Sequence, residues 1–124
     1  MLFRSGYRDV VEVLLSKGAD PNLRATRGQT ALMWAASQKH PAVVNALLAG
    51  HADVRAKSDT WSQMMAVPPH GYPGNNKMIP HGGDNALMFA ARVGDLESSK
   101  LLVAAGAPVN DADAWGVKIG RAHV

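Results

Sequence analysis

The sequence predicts an all-α solenoid of stacked helix-turn-helix units with one long inserted loop. Three observations lead there. The stretch TALMWAASQKH, beginning at Thr30, returns as NALMFAARVGD, beginning at Asn85, an offset of 55. The stretch VVEVLLSKGAD, beginning at Val10, returns as VVNALLAGHAD, beginning at Val43, an offset of 33. GADPNLR at Gly18, HADVRAK at His51 and GAPVNDA at Gly106 are spaced by 33 and then by 55. Every segment therefore shifts by 33, except across one junction where the offset is larger by 22. A unit of that size cannot bury its apolar face alone, so neighbouring units must stack.

Composition is consistent with this and removes several function classes. The chain has 124 residues, one small domain's worth, and Ala and Leu are common. With no Cys, disulfides, thiolate zinc sites and a Cys nucleophile are excluded. A net charge of +3, with both signs mixed along the chain, gives no basic stripe for nucleic acid. No apolar run is long enough for membrane insertion. The opening MLFRSGYRDVVE lacks the features of a signal peptide. The compartment stays open, cytoplasmic or exported.

Along the chain, residues 1–24 read as a partial first repeat. Met1 falls near the middle of its first helix, and Gly6 to Lys17 supply the turn and second helix. Residues 25–57 read as a full repeat. Thr30 is an N-cap type whose side chain can take an orphan N–H of the first helix. Leu32, Ala35 and Ala36 share one face of that helix, and the paired alanines permit close approach. Lys39 to Pro41 turn the chain, and Pro41 suits the first turn of the second helix. Val43, Val44, Leu47 and Leu48 form that helix's apolar face. Gly18 and Gly106 fit the left-handed position that ends a helix. His51 takes that place in the middle repeat, at a cost of about 1–2 kcal/mol. Residues 81–112 repeat the pattern with Asn85 as cap, and 113–117 open a further repeat.

The unit RGQTALMWAASQKHPAVVNALLAGHADVRAK resembles an ankyrin repeat: a Gly turn, T-x-L-x-x-A-A, a second helix ending in L-L, then G-A-D-V-N. The resemblance covers nearly all of the chain outside 59–82, and the wording TALMWAA is similar to ankyrin proteins common in bacteria. It implies a protein-binding scaffold, not an enzyme, with no cofactor and no metal, acting as a monomer. Two signature places of the family depart here. Ala31 and Met33, then Ala86 and Met88, stand where Pro and His are usual, so Met packing is expected to replace the usual His hydrogen bonds. The family also implies that variable positions on the turn tips and first helices contact the partner. In this chain those are Thr26, Arg27, Gln29, Ser37 and Gln38, then His81, Asp84, Arg92 and Val93, then Ala114, Trp115 and Val117. Trp34 and Phe89 lie near the same groove, or pack between repeats. Arg27, Arg92, Trp61 and Trp115 lead on residue type, because aromatic residues and Arg dominate interface energies.

Both ends are expected to be cut from a longer array. IGRAHV, after Lys118, matches the translation of a short-read sequencing adapter, ATC-GGA-AGA-GCA-CAC-GTC. Residues 118–124 are therefore expected to be non-native. The insertion, about 58–80, is rich in Pro, Gly and Asn and reads as loop. It is either a docking loop carrying Trp61, Met64, Met65, Tyr72, Met78 and Ile79, or a tolerated insertion. HGGD at His81 has no accompanying G-x-S-x-G elbow, so a hydrolase is set aside. The histidines show no ligand spacing. The readings carried forward are a partner-protein scaffold, a structural spacer beside another domain, and an accessory module of a toxin or effector system.

Overall fold

A computed structural model describes residues 2–66 and 76–114. Trp115, Val117, the expected non-native tail 118–124 and the centre of the insertion lie outside the described residues. The helices are α1 (Leu2–Ser16), α2 (Ala31–Ser37), α3 (Pro41–Ala49), α4 (Ala86–Val93) and α5 (Leu96–Ala104). A tight turn, Thr26–Gly28, precedes α2. Strands β1 (Thr60–Ala66) and β2 (Asn76–Gly82) lie between α3 and α4.

The helices form two layers. α2 packs on α4 in one, and α1, α3 and α5 follow one another in the other. The antiparallel pairs α2/α3 and α4/α5 join them. The core lies between: Leu32, Ala35 and Ala36 of α2 meet Val43, Val44 and Leu47 of α3, with Leu87, Ala90 and Leu102 from the next unit. Ala35, Ala36 and Ala90 have no exposed surface, as close helix approach requires.

Local signals act where the residue types place them. The Thr30 hydroxyl accepts the Met33 N–H at 3.4 Å, and the Asn85 side chain accepts the Met88 N–H at 2.9 Å. Asp95 caps α5 in the same way through the Ser98 N–H. Pro41 opens α3, where its missing N–H costs nothing. The Met33 sulfur does more than fill space. It accepts the Thr30 N–H at 3.5 Å and so closes the capping box from the side-chain end. His51 has φ 70°, matching its equivalents Gly18 and Gly106, both at 92°.

Two expectations need correction. The fold is not wholly α-helical, because the insertion contributes a two-stranded antiparallel sheet running from Thr60↔Gly82 to Ala66↔Asn76. Residues 60–66 and 76–80 are thus paired strands, not loop. In addition, α1 runs unbroken through Gly6, where a turn between two helices was expected.

Leu47 is 3% exposed at the centre of the core. Leu47→Ala is expected to cost about 2–5 kcal/mol, read as a large fall in the circular-dichroism melting midpoint. His51→Gly is expected to act oppositely. Relief of left-handed strain, about 1–2 kcal/mol, outweighs the entropic cost of Gly, about 0.5–1 kcal/mol, so the same melts should show a small rise.

Candidate functional site: the turn tips and the hairpin root

The turn tips of successive units are tied by backbone hydrogen bonds. The Asp59 N–H donates to the Arg27 carbonyl at 2.9 Å, and one unit later the Ala114 N–H donates to the Gly82 carbonyl at 3.0 Å. Within the tip that bears the strands, the Ser58 N–H donates to the Asp84 carbonyl at 2.9 Å and the Gly83 N–H to the Ser58 carbonyl at 3.2 Å, as Ala25 does to Gln29 and Gly28 to Ala25 in the tip before. Side chains reinforce the row. Arg24 donates to the carbonyls of Gly28 and Lys57, and the Lys57 ammonium to that of Ala112.

This row fixes where the insertion enters. Thr60 follows Arg27 by the normal repeat period, and Gly82 follows it by the lengthened one, so both strand ends correspond to one position of the uninserted junction. They are also the pair that closes the hairpin root. The paired strands of the insertion are therefore raised at a single tip position, and neither flanking repeat loses register. Arg27 and Gly82 share a left-handed backbone, with φ 62° and 86°. At Gly82 a Cβ would run into the Asp59 carbonyl oxygen, so Gly is required there.

The sequence-predicted residues fall into three groups. Arg27, Trp61 and His81 come together at the hairpin root. The Arg27 guanidinium carbon stands 3.5 Å from the Trp61 ring centroid, and Trp61 stacks on His81 at 4.4 Å with 25° between planes. Cation–π and stacking contacts of this kind are worth about 0.5–1.5 kcal/mol each. They lock the first strand residues to the preceding tip.

The second group is Asp84, Phe89 and Arg92. Asp84 is buried and its carboxylate accepts the Arg92 guanidinium at 3.0 Å, with Asp113 at 3.9 Å on the same nitrogen. Arg92 also lies over Phe89 at 5.9 Å. A buried carboxylate needs such a counter-charge, so Asp84 presents nothing to solvent directly and acts by holding Arg92. Phe89 is half-buried and Val93 flanks it at the end of α4.

The third group sits on α2. Trp34 is 47% exposed and tilts over His40 at 5.3 Å, while Tyr7 of α1 meets the same imidazole edge-on at 5.2 Å. Sequence reasoning missed Tyr7 and His40 as Trp34's neighbours. The equivalence of Tyr7 and His40 in the repeat was the available signal, since it stacks the two turns directly. Ser37 donates its hydroxyl to the Trp34 carbonyl at 2.8 Å, and Gln38 is exposed. Thr26 and Gln29 are exposed on the tip; the Thr26 carbonyl accepts the Gln29 N–H. Met64 and Met78 pair across the strands and are 55% and 57% exposed. Among the described residues no group of three His, Asp or Glu side chains stands close enough to hold a metal ion. Nor is any described helix long and apolar enough to cross a membrane.

Comparison with known proteins agrees with the internal repeat. The family model for ankyrin repeats (3 copies) matches residues 2–113. The chain is 34% identical over 113 residues to ankyrin repeat domain-containing protein SAT10 of Stachybotrys chartarum, covering 91% of this chain and 5% of that protein. It is 36% identical over 109 residues to XBOS33 of Oryza sativa subsp. japonica, named as a probable E3 ubiquitin-protein ligase, covering 86% of this chain and 17% of that protein. The chain thus spans a small part of each of these relatives.

Removing residues 60–81 would join Asp59 to Gly82, the residue already in the tip conformation, and restore the regular repeat period. The shortened chain is expected to keep its helical circular-dichroism spectrum and a cooperative melt. Collapse of the melt would show that the hairpin holds the repeats together.

Proposed function

Because the chain belongs to the ankyrin repeat family, whose members are in general protein–protein interaction modules, we propose that it binds a partner protein across the turn tips and the solvent face of the α2/α4 layer. The observation that carries this reading is Trp34. α2 buries Leu32, Met33, Ala35 and Ala36, yet leaves a tryptophan 47% exposed beside Ser37 and Gln38. A large aromatic ring at the surface among polar neighbours is a common anchor of interfaces. Arg92, held outward by Asp84, and Arg27, held by Trp61, extend the same layer with two guanidinium groups. Trp115, one repeat period beyond Gly82 and so at the place of Arg27, is proposed to extend the row of turn tips in the following unit.

The reading assigns the chemistry of recognition to side chains and leaves catalysis aside. The hairpin adds a second element at one tip only. Its exposed Met64 and Met78 give adaptable apolar surface, and its root is immobilised by the Arg27–Trp61–His81 stack. A rigid root lowers the ordering cost of binding through the hairpin.

The test is quantitative capture from source extract, with bound protein measured for wild type, Trp34→Ala, Arg27→Ala and Lys100→Ala. Lys100 is exposed on α5, in the opposite layer. Trp34→Ala is expected to weaken capture about tenfold, equivalent to roughly 1.4 kcal/mol, with a smaller loss for Arg27→Ala and none for Lys100→Ala. Equal loss in all three, or no loss at Trp34, would contradict the reading.

A further inference from the structure

The two outer edges of the paired strands are not alike. The Gly82 carbonyl points away from β1, because it accepts the Ala114 N–H at 3.0 Å. Thr60↔Gly82 is thus a pair whose main-chain groups face outward, and antiparallel pairs alternate between this kind and the kind that bonds inward. By the register, Ser62↔Pro80 and Met64↔Met78 are outward pairs too, while Trp61↔His81 and Gln63↔Ile79 bond to each other. The N–H that Pro80 lacks therefore falls on the outer edge of β2, where its absence costs the ladder nothing. That edge is closed twice, by Pro80 and by the bond from Gly82 to the next tip.

β1 has no such protection. Thr60–Ala66 contains no Pro and no charged residue, two of the usual ways of blunting an exposed edge. Among the described residues its outward main-chain groups at Ser62 and Met64 have no partner, and the helices pack on one another and not along it. The two faces of β1 also differ. Successive side chains alternate, so Trp61 and Gln63 lie on one face and Ser62 and Met64 on the other. Arg27 covers the first face, its guanidinium carbon 3.5 Å from the Trp61 ring centroid. Met64 and its cross-strand neighbour Met78 give the second face exposed apolar surface. Arg24 and Arg27, both exposed on the tip beside this edge, form no ion pair among the described residues. Asp59, packed against Gly28, offsets one of those charges and leaves the tip positive.

We propose that the outer edge of β1 takes an extended segment of a partner protein as a third strand, and that this segment alternates acidic with apolar residues. Residues paired with Ser62 and Met64 exchange main-chain hydrogen bonds with them and put their side chains on the Met64–Met78 face, so they are apolar. The residues between them put their side chains on the Trp61 face, beside Arg27, so they are acidic. Main-chain bonds give such strand addition its affinity, and the alternating side chains give it selectivity. A second copy of β1, uncharged along its whole length, offers no carboxylate to Arg27. The inference rests on the reading of the chain as a partner-binding module and adds to it a site separate from the α2/α4 layer.

The experiment is calorimetric titration of the full chain with a capped synthetic heptapeptide of alternating valine and glutamate. The peptide is expected to bind saturably, and a counterpart with lysine in place of glutamate not to bind. N-methylation of the valines removes the N–H groups that face β1 and is expected to weaken binding about tenfold or more. N-methylation of the glutamates removes N–H groups that face away and is expected to change it little. On the chain side, Ser62→Pro removes one outward donor and is expected to abolish binding while the helical melt is kept. Trp34→Ala is expected to leave peptide binding unchanged. The methylated peptides need no altered chain, so they decide the matter whatever Ser62→Pro does to folding. Absence of saturable binding, equal loss from the two methylations, equal binding of the lysine peptide, or a loss with Trp34→Ala would overturn the inference. Failure of the peptide to bind leaves Trp34-dependent capture as it stands, so the two readings fail separately.

Discussion

The bond from the Asp59 N–H to the Arg27 carbonyl, and its counterpart from Ala114 to Gly82, is the constraint on which the rest of the structure depends. Each one links the tip of a unit to the tip of the next, so the units keep a fixed offset. Fixed offset is what lets α2 lie on α4 and α3 on α5, with Leu47, Leu87 and Leu102 in one core. It also explains how a whole hairpin enters without disturbing either neighbour. The insertion leaves and returns at one residue position, and the bond that position makes is retained by Gly82 in the place of Arg27.

The site follows from the same geometry. A hairpin with its root at a tip must leave its first side chains against the preceding tip. Trp61 therefore meets Arg27, and its cross-strand partner His81 stacks on it. The short first helices, α2 and α4, span only about two turns and are too small to bury more than one face. Trp34 and Arg92 stay outward for that reason, while Met33, Leu87 and Met88 go inward. Recognition surface and core are two faces of the same elements.

Much of the helical part was legible because its signals are local. Thr30 and Asn85 cap and Pro41 starts a helix, each as its chemistry requires, and His51 ends one in the left-handed region because the repeat places it where Gly18 and Gly106 stand. The hairpin was hidden by its composition. Pro80 cannot donate to a ladder and normally argues against a strand, yet in a two-stranded ribbon it occupies a place opposite Ser62 without being surrounded. The decisive clue was arithmetic: an insertion that preserves register on both sides must bring its two ends together. The burial of Asp84 was hidden for another reason. A charged tip residue reads as solvated until Arg92, at the far end of α4, is seen to fold back over it. The continuity of α1 through Gly6 was not legible either, because Gly favours a turn over a helix interior.

Native-state amide hydrogen exchange tests the central claim most directly. If the tip bonds set the offset of the units, the Asp59 and Ala114 amides open only when the stack does. They should then exchange as slowly as the core amides of α3, such as Val44 and Leu47, although Asp59 is itself a surface residue. Exchange of these tip amides at rates typical of exposed turns, while Val44 and Leu47 remain protected, would contradict the account.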